Sequence, residues 1–126
     1  MSKELINQLK TGNEKQRVDA AYKLSKFKGD DVVTALLGVL KDKNLVICTN
    51  AIFALGVIKS QRAVNPLINI SNDVNSGRTM RAAAIHALGQ IKDSRAIEPL
   101  AKIVDKDDDL IVASAAIVAL KSIGDP

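Results

Sequence analysis

The chain has 126 residues, of which 47% are hydrophobic and 25% are charged, a balance typical of a folded domain and not of a disordered chain. Only 2% are aromatic, and three prolines and seven glycines leave little material for a turn-rich β fold. The net charge of +4 is modest and the basic residues are scattered, so nucleic-acid binding is not indicated by charge alone.

The single cysteine, Cys48, excludes an intramolecular disulfide and a multi-cysteine zinc cluster. Its neighbours are apolar, which favours a packed core thiol over a reactive one. Residues 1–5 are not followed by the apolar stretch of a secretory signal, and no apolar run reaches the roughly 20 residues of a membrane span. We therefore expect a cytoplasmic protein that does not enter a membrane.

Four stretches of the chain repeat one alanine-rich pattern around a leucine. The equivalent leucines, which recur every 31 to 33 residues, are Leu24, Leu55, Leu88 and Leu120. A second leucine follows each of the first three by twelve residues, at Leu36, Leu67 and Leu100. Two landmarks that keep a fixed offset through three units indicate an internal structural repeat.

Each unit is predicted to contain two helices. In the third unit the apolar residues recur at helical spacing on one face, and they are Met80, Ala84, Ala87, Leu88 and Ile91. A shorter helix is predicted before each later reference leucine, over about residues 31–40, 62–70 and 95–104, and a degenerate helix over about residues 3–9. The side chains expected to cap helices are Asp30, Asn44, Asp93 and Asp108.

One such hairpin cannot bury its apolar face alone, whereas a stack of four can. We therefore predict an all-α fold, a right-handed α-solenoid in one domain over residues 1–126. The predicted repeats cover about residues 1–27, 30–58, 61–91 and 94–123.

The string from Arg81 to Leu100, Arg-Ala-Ala-Ala-Ile-His-Ala-Leu-Gly-Gln-Ile-Lys-Asp-Ser-Arg-Ala-Ile-Glu-Pro-Leu, resembles a HEAT-like repeat of the short variety named after phycobilisome lyases. The resemblance covers nearly the whole chain. It implies an α–α superhelix in which the helix carrying Ala-Leu-Gly lines the concave side. It is specific for the fold and weak for function, because one fold carries many functions.

Proteins of this kind include chromophore-lyase subunits, a metal-dependent hydroxylase, DNA-repair glycosylases and plain scaffolds. The hydroxylase type binds iron through His-Glu pairs, whereas the single histidine here, His86, is followed by Ala87. The glycosylase type relies on Trp, Tyr and Asp in a basic cleft, and this chain has no Trp. We therefore predict no catalytic residue, metal or cofactor, and a protein that is not an enzyme.

The predicted function is that of a scaffold or adaptor that binds a partner protein through its concave surface. The residues expected to line that surface are Tyr22, Thr49, Phe53, Arg78, Ala82, His86, Ser114 and Val118. Apolar residues where a solvated face is expected indicate binding, although the curvature of the stack could bury some of them. Two alternatives stay open: an accessory enzyme subunit, such as a lyase-type or cofactor chaperone, and a weak nucleic-acid binder.

Two further features concern charge and assembly. The acidic run at residues 105–109 is interpreted as helix capping, because it lacks the glycine and distal glutamate of a calcium-binding EF-hand loop. The arginines are predicted to pair between helices, with Arg78 and Arg81 best placed to reach a ligand. The last helix is apolar almost all round, so Leu110, Ile111 and Ile117 form a candidate assembly end for a homo-oligomer or a partner.

Overall fold

The structure is a computed structural model that describes residues 1–124, and every regular element in that range is helical. The α-helices are α1 (Ser2–Thr11), α2 (Glu14–Lys23), α3 (Asp30–Leu37), α4 (Leu45–Ile58), α5 (Val64–Asn72), α6 (Gly77–Ile91), α7 (Ile97–Lys106) and α8 (Leu110–Gly124). Short 3-10 turns occupy Leu24–Lys26, Gln61–Ala63, Val74–Ser76 and Ser94–Ala96.

Consecutive helices pack as pairs, α1 with α2, α3 with α4, α5 with α6 and α7 with α8. The second helices of the pairs, α2, α4, α6 and α8, also pack on one another in a row. The predicted all-α solenoid is confirmed by this arrangement. The predicted limits of the individual repeats stay a prediction.

Several predicted helix limits differ from the structure. The helices predicted to begin at residues 62 and 95 begin at Val64 and Ile97, because the residues before them form 3-10 turns. The helix predicted to reach residue 40 ends at Leu37. The helix predicted over residues 3–9 extends over Ser2–Thr11.

The core is built from the repeating aliphatic residues. Three of the four reference leucines, Leu24, Leu55 and Leu88, are fully buried, and so are the second-series leucines Leu36, Leu67 and Leu100. Burying a leucine side chain contributes about 1.5–3 kcal/mol. These residues therefore account for much of the cohesion between neighbouring helices.

Two glycines bring the second helices into close contact. A Cβ atom on Gly56 would lie 3.0 Å from Ala87 Cβ, and one on Gly89 would lie 3.1 Å from Ala119 Cα. Both glycines directly follow a reference leucine. The Leu-Gly pair of the repeat therefore buries its leucine and leaves room for the next helix in the row.

An arginine and an aspartate join neighbouring helix pairs at two places, and we call each such unit a clamp. Arg17 on α2 donates from Nε to the Leu9 carbonyl at 2.8 Å and from its terminal nitrogen to Asp42. Its counterpart Arg81 on α6 donates to the Ser71 carbonyl at 2.9 Å and to Asp107.

The clamps confirm that these two arginines pair between helices. Arg81 is only 6% exposed, so the prediction that it reaches a ligand is wrong. The side chain is instead enclosed by its two clamp partners, the Ser71 carbonyl and Asp107, beneath the next helix pair.

Two of the four predicted caps are confirmed. Asn44 accepts hydrogen bonds from the first amides of α4, and Asp93 accepts one from Arg95. Asp30 instead lies inside α3, which follows Gly29. The cap of α8 is Asp109 and not Asp108, since Asp109 accepts from the amides of residues 111 and 112.

Candidate functional site

Two exposed aromatic rings, Tyr22 on α2 and Phe53 on α4, stack on each other. The Tyr22 and Phe53 ring centroids are 5.6 Å apart and the ring planes differ by 8°. Tyr22 is 53% exposed and Phe53 is 42% exposed, although both rings are large and mostly apolar. Neighbouring helices therefore present a flat apolar platform that the core does not use.

A groove of about 470 Å³ lies further along the same row, between α6 and α8. Its lining includes His86 and Val118, which occupy the same repeat position as Tyr22 and Phe53. Gln90 also lines the groove, and its buried Oε1 has no hydrogen-bond donor among residues 1–124. This oxygen packs against Gly56 of α4, so it is enclosed between α4 and α6 and is not open to the groove.

Two lysines at the edge of this groove adopt an unusual backbone conformation. Lys59 and Lys92 end α4 and α6 with φ of 61° and 60°, in the left-handed region that favours glycine. This conformation costs a residue with a Cβ roughly 1–2 kcal/mol. Both side chains are exposed, and neither forms an ion pair in the described part of the chain.

The last unit differs at this repeat position. Four residues after Leu120, Gly124 still lies within α8 and does not adopt a positive φ. The site residues predicted from the sequence did not include Lys59 or Lys92, because their left-handed conformation is a property of the helix ends. The Lys59 and Lys92 amides close their helices by donating to the Leu55 and Leu88 carbonyls, and the two exposed side chains add positive charge at the edge of the groove.

The remaining residues predicted to line the concave surface are distributed as follows. Thr49 and Ala82 are half-buried, and the Thr49 hydroxyl donates to the Leu45 carbonyl of its own helix at 2.9 Å. Ser114 is exposed on α8. Arg78 lies near the start of α6 and donates to Asp109 at 2.8 Å, so it is held away from the His86 groove.

The candidate assembly end lies on α8. Leu110 and Ile111 are exposed, and Ile117 is 48% exposed. In the two preceding helices of the row, Ile52 and Ile85 occupy the position of Ile117, and both are 0% exposed. The surface that the next helix covers on α4 and α6 is therefore open on α8.

No three His, Cys, Asp or Glu side chains within residues 1–124 are grouped as ligands for a metal ion. In the same range, no helix combines the length and the apolar character needed to cross a bilayer.

The sequence model of a family described as HEAT repeats matches residues 49–121, more than half of the chain. Human deoxyhypusine hydroxylase in complex with glycerol superposes with a TM-score of 0.85 and 20% identity, over 97% of this chain and 43% of that one. No curated protein sequence matches significantly.

A second solved structure is the complex of CpcE and CpcF of phycocyanin lyase from Nostoc sp. PCC7120. It superposes with a TM-score of 0.83 and 26% identity, over 98% of this chain and 53% of that one. The chain thus spans about half the length of the solved chains it resembles.

The prediction that the protein is not an enzyme is wrong. The solved structures that resemble the chain include a hydroxylase and a lyase complex, so enzymes and enzyme subunits use this architecture. The prediction failed because it excluded two known types of site by their missing residues. The lack of those residue sets does not exclude other catalytic or accessory roles.

Proposed function

Because the chain belongs to the HEAT-repeat family, we propose that it binds an acidic, amphipathic segment of a partner protein along the exposed surface of α2, α4, α6 and α8, here called the second-helix face. The observation that carries the proposal is the exposed Tyr22–Phe53 stack beside a groove edged by two unpaired lysines. The stack supplies apolar contact area, and the lysines supply charge.

The aromatic platform is suited to anchoring a partner's apolar side chain. Stacked rings lose little conformational freedom on binding, because each already limits the rotation of the other. Interfaces are enriched in such aromatic anchors, and a few of them carry most of the binding energy. The platform therefore gives the partner segment its apolar side.

The distribution of cations favours an acidic protein segment over a nucleic acid. Each arginine of the chain is ion-paired with an aspartate, so no arginine is available to bind phosphate through two parallel hydrogen bonds. Lys59 and Lys92 stay free at the groove edge.

The test uses a short fluorescein-labelled peptide with Leu on one helical face and Glu on the other, and a second peptide in which every Glu is Gln. We expect saturable binding of the acidic peptide by anisotropy. Phe53→Ala should weaken it about tenfold, as for a hot-spot residue. Lys59→Gly with Lys92→Gly should weaken it several-fold, since each exposed ion pair contributes about 0.2–1 kcal/mol.

The glycine substitutions separate binding from folding, because glycine favours the backbone conformation that the lysines adopt. We expect the double variant to unfold at the wild-type temperature or above it. Lys3→Gln with Lys10→Gln is the matched control, since it removes the same charge from α1. Equal binding of the two peptides, or equal weakening by the two double variants, would contradict the proposal.

A second candidate role is that of a subunit in an enzyme assembly. It is favoured by the 26% identity to the phycocyanin lyase complex over 98% of the chain. The open surface of α8 supports a contact with another helical chain, because Ile117 lies where its counterparts are covered by a helix. We propose a second copy of this chain as the occupant.

Light scattering during gel filtration tests this contact. We expect a dimer at high protein concentration and a monomer for Ile117→Glu, because a buried unpaired carboxylate at an apolar interface costs several kcal/mol. Thr34→Glu, at an exposed site on α3, is the control and should leave the dimer intact. A wild-type monomer at every concentration would exclude self-association.

A further inference from the structure

The junction between the second and third helix pairs lacks the arginine of the clamp. Arg17 and Arg81 each lie seven residues before a reference leucine, Leu24 and Leu88. Seven residues before Leu55, the residue is Cys48. The position that supplies a guanidinium at the two neighbouring junctions therefore supplies only a short thiol here.

The aspartate half of the clamp is nevertheless present. Asp42 and Asp107 each accept an N–H bond of 2.9 Å from the residue two positions later. Asp73, at the end of α5, accepts the same bond from Asn75 at 2.9 Å. Its carboxylate forms no ion pair within residues 1–124.

A cavity of about 700 Å³ occupies the position of the missing arginine. It opens between the ends of α3 and α5 and the starts of α4 and α6, and its lining includes Gly38, Leu40, Cys48, Asp73 and Met80. At the other two junctions the arginine side chain occupies the corresponding space. It extends from the second helix of a pair to a carbonyl near the end of the first helix and to the aspartate of the next pair.

Cys48 does not replace the missing charge. Its Sγ donates to the Asp42 carbonyl at 3.0 Å, and burial raises the pKa of the thiol. Lys41 lines the outer part of the cavity, but it lies beyond ion-pairing distance of Asp73. A lysine is also a point charge, whereas the clamp uses the forked geometry of a guanidinium.

We propose that this cavity binds a guanidinium group on an alkyl chain, with Asp73 as its carboxylate partner. The apolar walls formed by Leu40 and Met80 suit the alkyl stem, and the end of α3 offers carbonyl groups in the place of those that Arg17 and Arg81 use. The site lies at the starts of α4 and α6, whereas Lys59 and Lys92 lie at their ends. It is therefore independent of the second-helix face.

The experiment titrates agmatine, n-butylguanidine and an arginine-containing tripeptide into the protein, with n-butanol as the uncharged probe. Calorimetry gives the affinity, and the NMR shift of the Asn75 amide reports on Asp73. We expect a Kd of about 1 mM for the guanidinium probes, a value reasonable for so small a ligand. Asp73 is exposed, so Asp73→Asn should weaken binding several-fold, and Asp105→Asn, outside the cavity lining, should leave it unchanged.

Cys48→Arg provides a second test, because it places the guanidinium on the chain itself. We expect this variant to abolish binding and to raise the unfolding temperature. Binding of the tripeptide alone would assign the site to an arginine side chain of a partner, and equal binding of agmatine would assign it to a small molecule. Absence of binding, or equal affinity of wild type and Asp73→Asn, would overturn the proposal even if Cys48→Arg fails to fold.

Discussion

Replacing Arg81 by alanine lowers the free energy of unfolding by about 3 kcal/mol, because removal of one partner from a buried ion pair is strongly destabilising. Arg81 is almost completely buried and serves both the Ser71 carbonyl and Asp107. The substitution leaves both acceptors without their donor beneath the last helix pair. Urea unfolding followed by circular dichroism measures the loss.

The control for this prediction is Arg62→Ala. Arg62 and Asp30 form an ion pair whose side chains are largely exposed, so the expected loss is at most about 1 kcal/mol. Similar losses in the two variants would show that the Arg81 clamp does not hold the helix pairs together.

The same variant changes the response to acid. Hydrogen bonding to Arg81, more than any other influence, holds the pKa of the Asp107 carboxyl below its ordinary value, although burial opposes this effect. A depressed folded-state pKa stabilises the protein above the ordinary pKa, and that contribution is lost as the pH falls through the lower value. We therefore expect the stability of Arg81→Ala to fall less steeply than that of the wild type below about pH 4.

Replacing Gly89 by valine lowers the free energy of unfolding by about 2 kcal/mol through overpacking. A Cβ atom there would lie 3.1 Å from Ala119 Cα and 3.2 Å from its Cβ. The first of these atoms is backbone, so α8 must move away from α6 to admit the side chain. Thermal unfolding with a hydrogen-exchange measurement on α8 detects both the lost stability and the loosened helix.

Gly124→Ala is the matched control, because a Cβ at Gly124 would meet no atom within 4 Å. Alanine is also the better helix former, so stability should stay unchanged or rise by up to about 1 kcal/mol. Equal destabilisation of the two variants would mean that close approach of α6 and α8 is unimportant.

The helical repeat was predictable because its causes are local in sequence. A leucine every 31 to 33 residues, flanked by alanines at helical spacing, determines which face of each second helix is buried. Leu55 and Leu88 are indeed fully buried. Such a pattern is independent of what the helix packs against, since any stack must cover the same apolar stripe.

The candidate sites were less predictable, because they depend on distances between helix pairs. Tyr22 and Phe53 share a repeat position in the sequence, but only the packing of α2 on α4 brings their rings to 5.6 Å. The left-handed conformation of Lys59 and Lys92 is a property of how α4 and α6 end. Neither feature follows from hydrophobic periodicity.

The clamps show most clearly what the sequence predicts and what only the tertiary structure decides. The sequence predicted that Arg81 pairs between helices, but it also predicted that Arg81 reaches a ligand, whereas the side chain is buried. Asp42 and Asp107 each lie thirteen residues before a reference leucine, Leu55 and Leu120. Asp73 lies fifteen residues before Leu88, because the turn at Val74–Ser76 lengthens the loop. Alignment by residue number therefore hides their equivalence.

Sequence alone thus determined the helical repeat, the aliphatic core and the family, because these depend on contacts that recur at a constant spacing. The tertiary structure decided which arginines are clamps, which junction lacks one and which aromatic rings meet. Those outcomes depend on where loops of unequal length place a side chain relative to the next helix pair. Loop geometry changes from unit to unit, whereas the apolar stripe does not.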